Sequence, residues 1–147
     1  MSLKFEVYGK VAKPRSAVFN AVVDPKELSS YFTTGGASGP LREGATVTWD
    51  FADFPGGFPV KVTKLVPNER IEIEWASSEG GYDTHVVMTF EAVDASTTLV
   101  KISESGWHDT AKGQEASYQN CFGWSQMLCC LKVWVEHGIN LRDGFYK

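Results

Sequence analysis

The sequence predicts an α+β fold, a curved six-stranded antiparallel sheet crossed by one long C-terminal helix. Three observations carry this. Apolar residues alternate with period two through the middle of the chain. Turn-forming residues interrupt the alternation at short intervals. After Gly106 the period changes to the three- and four-residue steps of a helix.

Residues 3–11 set Leu3, Phe5 and Val7 against Lys4, Glu6 and Tyr8, a half-buried strand. Pro14 suits a helix start, and Ala17, Val18, Ala21 and Val22 form an apolar stripe. Asp24 and Pro25 then read as N-cap and first helical residue of a second short helix, followed by Leu28, Tyr31 and Phe32. The stretch Thr33 to Gly44, with four glycines and Pro40, reads as a loop.

Five strands follow. Val47, Trp49 and Phe51 share one face, as do Phe58, Val60 and Val62, then Ile71, Ile73 and Trp75, then Val86, Met88 and Phe90, then Val100 and Ile102. Turns are expected at Phe54-Pro55-Gly56-Gly57, Pro67-Asn68-Glu69, Ser77 to Gly81 and Asp94-Ala95-Ser96. Connections this short join antiparallel neighbours, because parallel pairs need long crossovers. From Ala111 to His137 the apolar stripe is Cys121, Trp124, Ser125, Leu128, Leu131 and Val135, with Gly138 placed to stop the helix. Such a helix is ~40 Å long at 1.5 Å per residue, enough to cross the sheet. No repeat or linker divides the 147 residues, so residues 1–147 are expected to form one domain.

Hydrophobic residues make up 43% and charged residues 22%, which is globular usage; the five Trp, five Tyr and nine Phe must fill a thick core or line a pocket. A net charge of −4 without a Lys/Arg run argues against nucleic acid and anionic membrane as partners. The start lacks an apolar leader, and no run approaches a membrane span, so a cytoplasmic location is expected. Cys121, Cys129 and Cys130 lie in one helical stretch without CxxC spacing, so they read as buried, reduced hydrophobes rather than disulfides or ligands. HExxH, GxSxG, a P-loop and GxGxxG are all missing. The sequence therefore assigns no catalytic residue, no metal site and no cofactor.

Several short motifs give the chain a family likeness. They are Ala12-Lys13-Pro14-Arg15-Ser16-Ala17-Val18-Phe19, Asp24-Pro25 with Leu28 and Tyr31-Phe32, and Leu41-Arg42-Glu43-Gly44. Others are Val60-Lys61-Val62 before Pro67-Asn68-Glu69-Arg70, Ile73-Glu74-Trp75, Ser105-Gly106-Trp107, and Gly123-Trp124 with Met127-Leu128 and Leu131-Lys132. In these the chain resembles the START-like, or SRPBCC, superfamily with its helix-grip fold. Within it the chain is most similar to small bacterial members of the family named for the activator of the heat-shock-protein-90 ATPase. The resemblance implies a long helix gripping a curved sheet. Superfamily members include lipid and hormone carriers, cyclases, oxygenase subunits and a co-chaperone domain, so fold alone leaves function open.

The candidate site is the space under the long helix. Trp49, Phe51, Phe58, Trp75, Met88 and Phe90 are expected to face it from the sheet, and Trp124, Ser125 and Leu128 from the helix. The same residues serve a filled core or an apolar cavity of roughly a few hundred Å³. Glu104 shares the parity of Val100 and Ile102; it either turns inward as an acid, base or hydrogen-bond anchor, or lies past the strand end in water. Asp50, Asp83 and His85 are expected to face solvent, and His108 lies on the loop before the helix. Ser125 either meets the cavity or bonds back to the carbonyl four residues earlier. Tyr118 and Gln126 are further polar candidates on the helix. The leading expectation is binding of a small hydrophobic or amphipathic molecule. The alternatives are a protein-interaction domain of the co-chaperone kind, and a cyclase- or hydrolase-type enzyme using Glu104 with His108 or Tyr118.

Overall fold

The structure is a computed structural model and describes residues 2–146; Met1 and Lys147, the two ends of the expected domain, lie outside the described residues. In chain order the elements are β1 (Leu3–Val11), α1 (Arg15–Val23), α2 (Pro25–Ser29), β2 (Gly36–Ala37), β3 (Thr46–Phe51), β4 (Phe54–Val66), β5 (Arg70–Ala76), β6 (Asp83–Asp94), β7 (Thr97–Trp107) and α3 (Ala111–His137). The strands form one antiparallel sheet in the order β1-β7-β6-β5-β4-β3-β2. Consecutive strands from β2 to β7 are neighbours, and β1 closes the far edge against β7, with Val7 opposite Ile102.

The sheet therefore has seven strands among the described residues, where the sequence suggests six. The additional strand, β2, lies inside the stretch read as a loop and pairs Gly36 with Asp50 and Ala37 with Trp49. The free edge of β3 presents backbone groups that need partners, and the loop supplies them. Glycine makes the approach possible: a Cβ on Gly35 would sit 3.0 Å from the Asp50 backbone, and Gly36 has φ of 112°.

A second correction concerns the expected turn at Phe54–Gly57. β4 already begins at Phe54, which pairs with Phe51, so the chain reverses at Ala52 and Asp53 instead. The register shifts between Trp49 and Phe51, and Gly56 and Gly57 take positive φ values of 142° and 66°. The glycines absorb the irregularity inside a strand rather than ending it.

The helix ends are as the sequence indicates. Asp24 accepts a hydrogen bond from the Lys26 N–H at 2.9 Å ahead of Pro25. Thr110 accepts one from the Gly113 N–H at 3.0 Å, and Gly138 stops α3 in the left-handed region with φ of 68°. α3 lies over β1 and β7, and α1 packs on its other flank. Leu128 lies 3.5 Å from where a Cβ would stand on Gly9, so helix and strand are in contact there. The buried arc of α3 runs through Trp124, Met127, Leu128, Cys130 and Leu131. Contact with α1 widens that arc beyond the predicted stripe, and Cys121, Ser125 and Val135 at its margin are only half-buried. Cys130 is the buried thiol expected, whereas Cys129 is exposed. Among the described residues no helix is long and apolar enough to cross a membrane.

Candidate functional site

Four rings meet where Trp124 reaches from α3 toward Trp49 of β3 and Trp75 of β5. Trp124 lies 5.6 Å from Phe32, 5.5 Å from Trp75 and 6.5 Å from Trp49, centroid to centroid. Trp49 is edge-on to Trp75 at 5.8 Å and to Phe32 at 5.6 Å, and Phe51 joins through Phe32 at 5.0 Å. Edge-to-face geometry of this kind aligns the positive rim of one ring with the negative face of the next. The rings occupy the space in which a cavity is the alternative expectation.

Glu104 forms the floor of this cluster. β7 runs on to Trp107, so Glu104 lies within the ladder, between Phe5 of β1 and Val86 of β6. The strand parity that buries Val100 and Ile102 buries Glu104 as well, to 1% exposure. Its carboxylate accepts from four side chains. Trp124 Nε1 donates to Oε1 at 2.8 Å, and Trp75 Nε1 to Oε2 at 3.0 Å. Thr84 Oγ1 donates to Oε2 at 2.6 Å, and Asn120 Nδ2 reaches both oxygens at 3.0 Å. All four are neutral donors, and an indole N–H can only donate. A carboxylate saturated by fixed donors holds the two Trp rings in place; His108 and Tyr118 are not among its partners. This geometry makes Glu104 an anchor.

The remaining expected residues separate into groups. Trp49, Phe51, Trp75 and Trp124 belong to the cluster. Phe90 packs instead on Phe19 of α1 at 5.2 Å, and Met88 is buried on the same strand, so these two serve the core beneath α1. Leu128 faces β1 at Gly9. Phe58 lies on the cluster's face of the sheet, 5.7 Å from Phe51, but beyond the helix, and is 41% exposed. The Ser125 hydroxyl donates to the Cys121 carbonyl at 2.8 Å, so it is satisfied within its own helix. Tyr118 is exposed, and Gln126 accepts from the Tyr146 hydroxyl at 2.7 Å. His85 bonds to Glu72 and Asp83 pairs with Lys61 on the outer face, as expected. His108 stacks on Tyr82 at 3.7 Å and donates its backbone N–H to the Tyr82 hydroxyl. Asp50 departs from expectation: it is half-buried against Gly35, and its Oδ1 has no hydrogen-bond partner among the described residues.

Thr84 and Asn120 escape the sequence reading, although each leaves a trace. Thr84 shares parity with Val86 and Met88, and Asn120 precedes Trp124 by one helical turn. A polar residue at an inward position beside a buried acid is the signal that finds them. Among the described residues no group of three or more His, Cys, Asp or Glu is placed to hold a metal.

Comparisons with known proteins bear on the fold. The family model described as activator of Hsp90 ATPase homolog 1-like protein matches residues 12–136. The protein SSP2350 from Staphylococcus saprophyticus is similar in structure, with a TM-score of 0.78 at 24% identity, over 95% of this chain and 96% of that one. The Aha1 dimer from Colwellia psychrerythraea superposes with a TM-score of 0.75 at 26% identity, over 92% and 98% of the two chains. PFC0360w from Plasmodium falciparum, described as an HSP90 activator, gives 0.73 at 21% identity, over 92% and 96%. No curated protein is similar enough to match. With a long helix gripping an antiparallel sheet and a family match that spans most of both, the chain belongs to the activator of Hsp90 ATPase homolog 1-like family.

Proposed function

We propose that the protein binds a small hydrophobic or amphipathic molecule between α3 and the sheet, against Phe32, Trp49, Trp75 and Trp124. The observation that carries this reading is the Trp49 indole N–H, which is buried and has no hydrogen-bond partner among the described residues. An unpaired buried donor costs roughly 1–3 kcal/mol, and a ligand oxygen placed against it removes that cost. The surrounding rings offer flat apolar contact, and Glu104 keeps two of them fixed. Trp75 is half-buried and Phe58 exposed, so the β4–β5 side offers a way in. Glu104 does not hold Phe32, and that ring is the one that moves aside to admit the molecule.

The test is a titration with aromatic and acyl compounds that carry a carbonyl or hydroxyl, each beside its hydrocarbon analogue. Trp fluorescence and the thermal midpoint report binding. The oxygenated compounds should bind the parent protein about fivefold or more tightly than Trp49→Phe, an advantage of about 1 kcal/mol. No shift with any compound rejects the reading.

A second reading is favoured by a different surface. Tyr118 and Phe122 lie one turn apart on the outer face of α3, 65% and 59% exposed. Two relatives are described as an Aha1 dimer and an HSP90 activator. This face would then contact a chaperone or a second copy of the chain. ATPase turnover of the cognate 90-kDa-class chaperone, with parent protein and with Tyr118→Ser/Phe122→Ser, decides the first possibility, and sedimentation decides the second. Unchanged turnover and a monomer at all concentrations reject both.

A further inference from the structure

Beyond Gly138 the chain folds back on the body of the protein. Asn140 Oδ1 accepts from the backbone N–H groups of Arg142 and Asp143, which forms a tight turn. The turn drives the Arg142 side chain inward until it is only 7% exposed. There its guanidinium grips Asp53 with two bonds, Nη2 to Oδ1 at 3.0 Å and Nε to Oδ2 at 3.2 Å. Its Cζ also lies 5.1 Å from the Phe51 ring centre and 5.8 Å from that of Phe32. Tyr146 completes the surround from the tail itself, at 5.5 Å, and its ring leans on Phe54.

We propose that Phe32, Phe51 and Asp53 form a binding site for a guanidinium or alkylammonium group, which the chain fills with its own Arg142, making residues 140–146 a displaceable latch. The carboxylate matches the fork of a guanidinium, and the two rings attract a cation through their faces. All three residues belong to the body. Phe32 and Phe51 are in the core, and Asp53 sits in the reversal between β3 and β4, so the site is built without the tail. The tail's hold is narrow by comparison: the Arg142 pair, the Tyr146 bond to Gln126 and the ring contacts of Tyr146. Phe32 also touches Trp49 and Trp124, so release of the latch uncovers one wall of the ring cluster. The site shares Phe32 with the ligand reading above but differs from it in that its ligand is a cation and its residues exclude the Trp49 N–H.

Chemical rescue tests it. Arg142→Ala empties the site and should lower the thermal midpoint by at least about 2–4 °C. Ethylguanidinium at millimolar concentration should then raise that midpoint, while the neutral ethylurea should not. The double variant Arg142→Ala/Asp53→Asn should respond to neither. No recovery specific to ethylguanidinium, or equal recovery in the double variant, overturns the proposal. If Arg142→Ala does not fold, the intact chain decides the matter. Ethylguanidinium, and not ethylurea, must then speed hydrogen exchange at the Arg142 and Asp143 amides; unchanged exchange overturns the proposal.

Discussion

Trp124 donates its indole N–H to Glu104 Oε1 at 2.8 Å, which ties the middle of α3 to β7 through a polar bond in apolar surroundings. Trp75 makes the equivalent bond from β5 to Oε2. One carboxylate therefore sets the positions of a helix and two strands, and the orientation of two rings in the candidate site.

Glu104→Gln tests this directly. Whichever way the new amide turns, its N–H₂ group faces an indole N–H, which can only donate. Charge-assisted bonds are worth roughly 1.5–3 kcal/mol each, so a loss of about 2–4 kcal/mol in unfolding free energy is expected. The denaturant midpoint should fall with an unchanged slope. A change below about 0.5 kcal/mol, the range of an ordinary surface substitution, removes Glu104 from the anchoring role.

Thr84→Val keeps the shape of the side chain and removes the 2.6 Å bond to Oε2. A cost of about 1–2 kcal/mol is expected. Coupling between Thr84→Val and Trp124→Phe, measured by a double-mutant cycle, should be non-zero because both donors share one acceptor. Simple additivity would show that the two donors act independently.

Gly113→Ala should destabilise, although alanine is the better helix former by about 1 kcal/mol. A Cβ at Gly113 would fall on the His108 carbonyl, which is backbone and cannot swing aside. A net loss of about 1–3 kcal/mol is expected from the forced shift of the α3 start. A gain in thermal midpoint contradicts the close approach.

Tyr31 makes stability depend on alkaline pH. Its phenol is fully buried and donates to the Ala21 carbonyl at 3.0 Å. Burial pushes its ionisation well above the ordinary value, and the nearby Glu27 and Cys130 push it the same way. The unfolded phenol loses its proton near about pH 10 while the folded one keeps it, so the unfolded state binds fewer protons. The contribution is complete below that pH and is lost as pH rises toward the folded value. Tyr31→Phe should flatten the fall in unfolding free energy between about pH 9 and 11. An identical slope in parent and variant refutes the assignment.

The fold was legible in the sequence wherever a pattern extends over several residues. Period two located β3 to β7, and the Thr110–Gly138 frame of α3 follows from cap chemistry. β2 was hidden because two residues carry no period, and the edge of β3 dictates their pairing. Phe54–Gly57 misled because glycines that commonly make turns here absorb a bulge. In the site, parity left Glu104 either turned inward or past the strand end; β7 runs on to Trp107 and buries it. Which rings belong to α3 and which to α1 depends on where the short helices sit, so Phe90 was grouped with the wrong neighbours. The latch was illegible because Arg142 and Asp53 are far apart in sequence and neither sits in a periodic element.

The place of β1 at the sheet edge also governs how the molecule is made. Among the described residues Leu3–Val11 pairs only with β7, the last strand of the sheet in chain order, and is covered by α3, whose Lys132 and Glu136 bond to Lys10 and Ala12. β1 therefore lacks its partner until the chain has been synthesised as far as Trp107, about a hundred residues later. Closing so long a loop comes late and slows folding. Until then its alternating Leu3, Phe5 and Val7 face is available to other chains, and the charged Lys4, Glu6 and Lys10 beside it guard against association during synthesis.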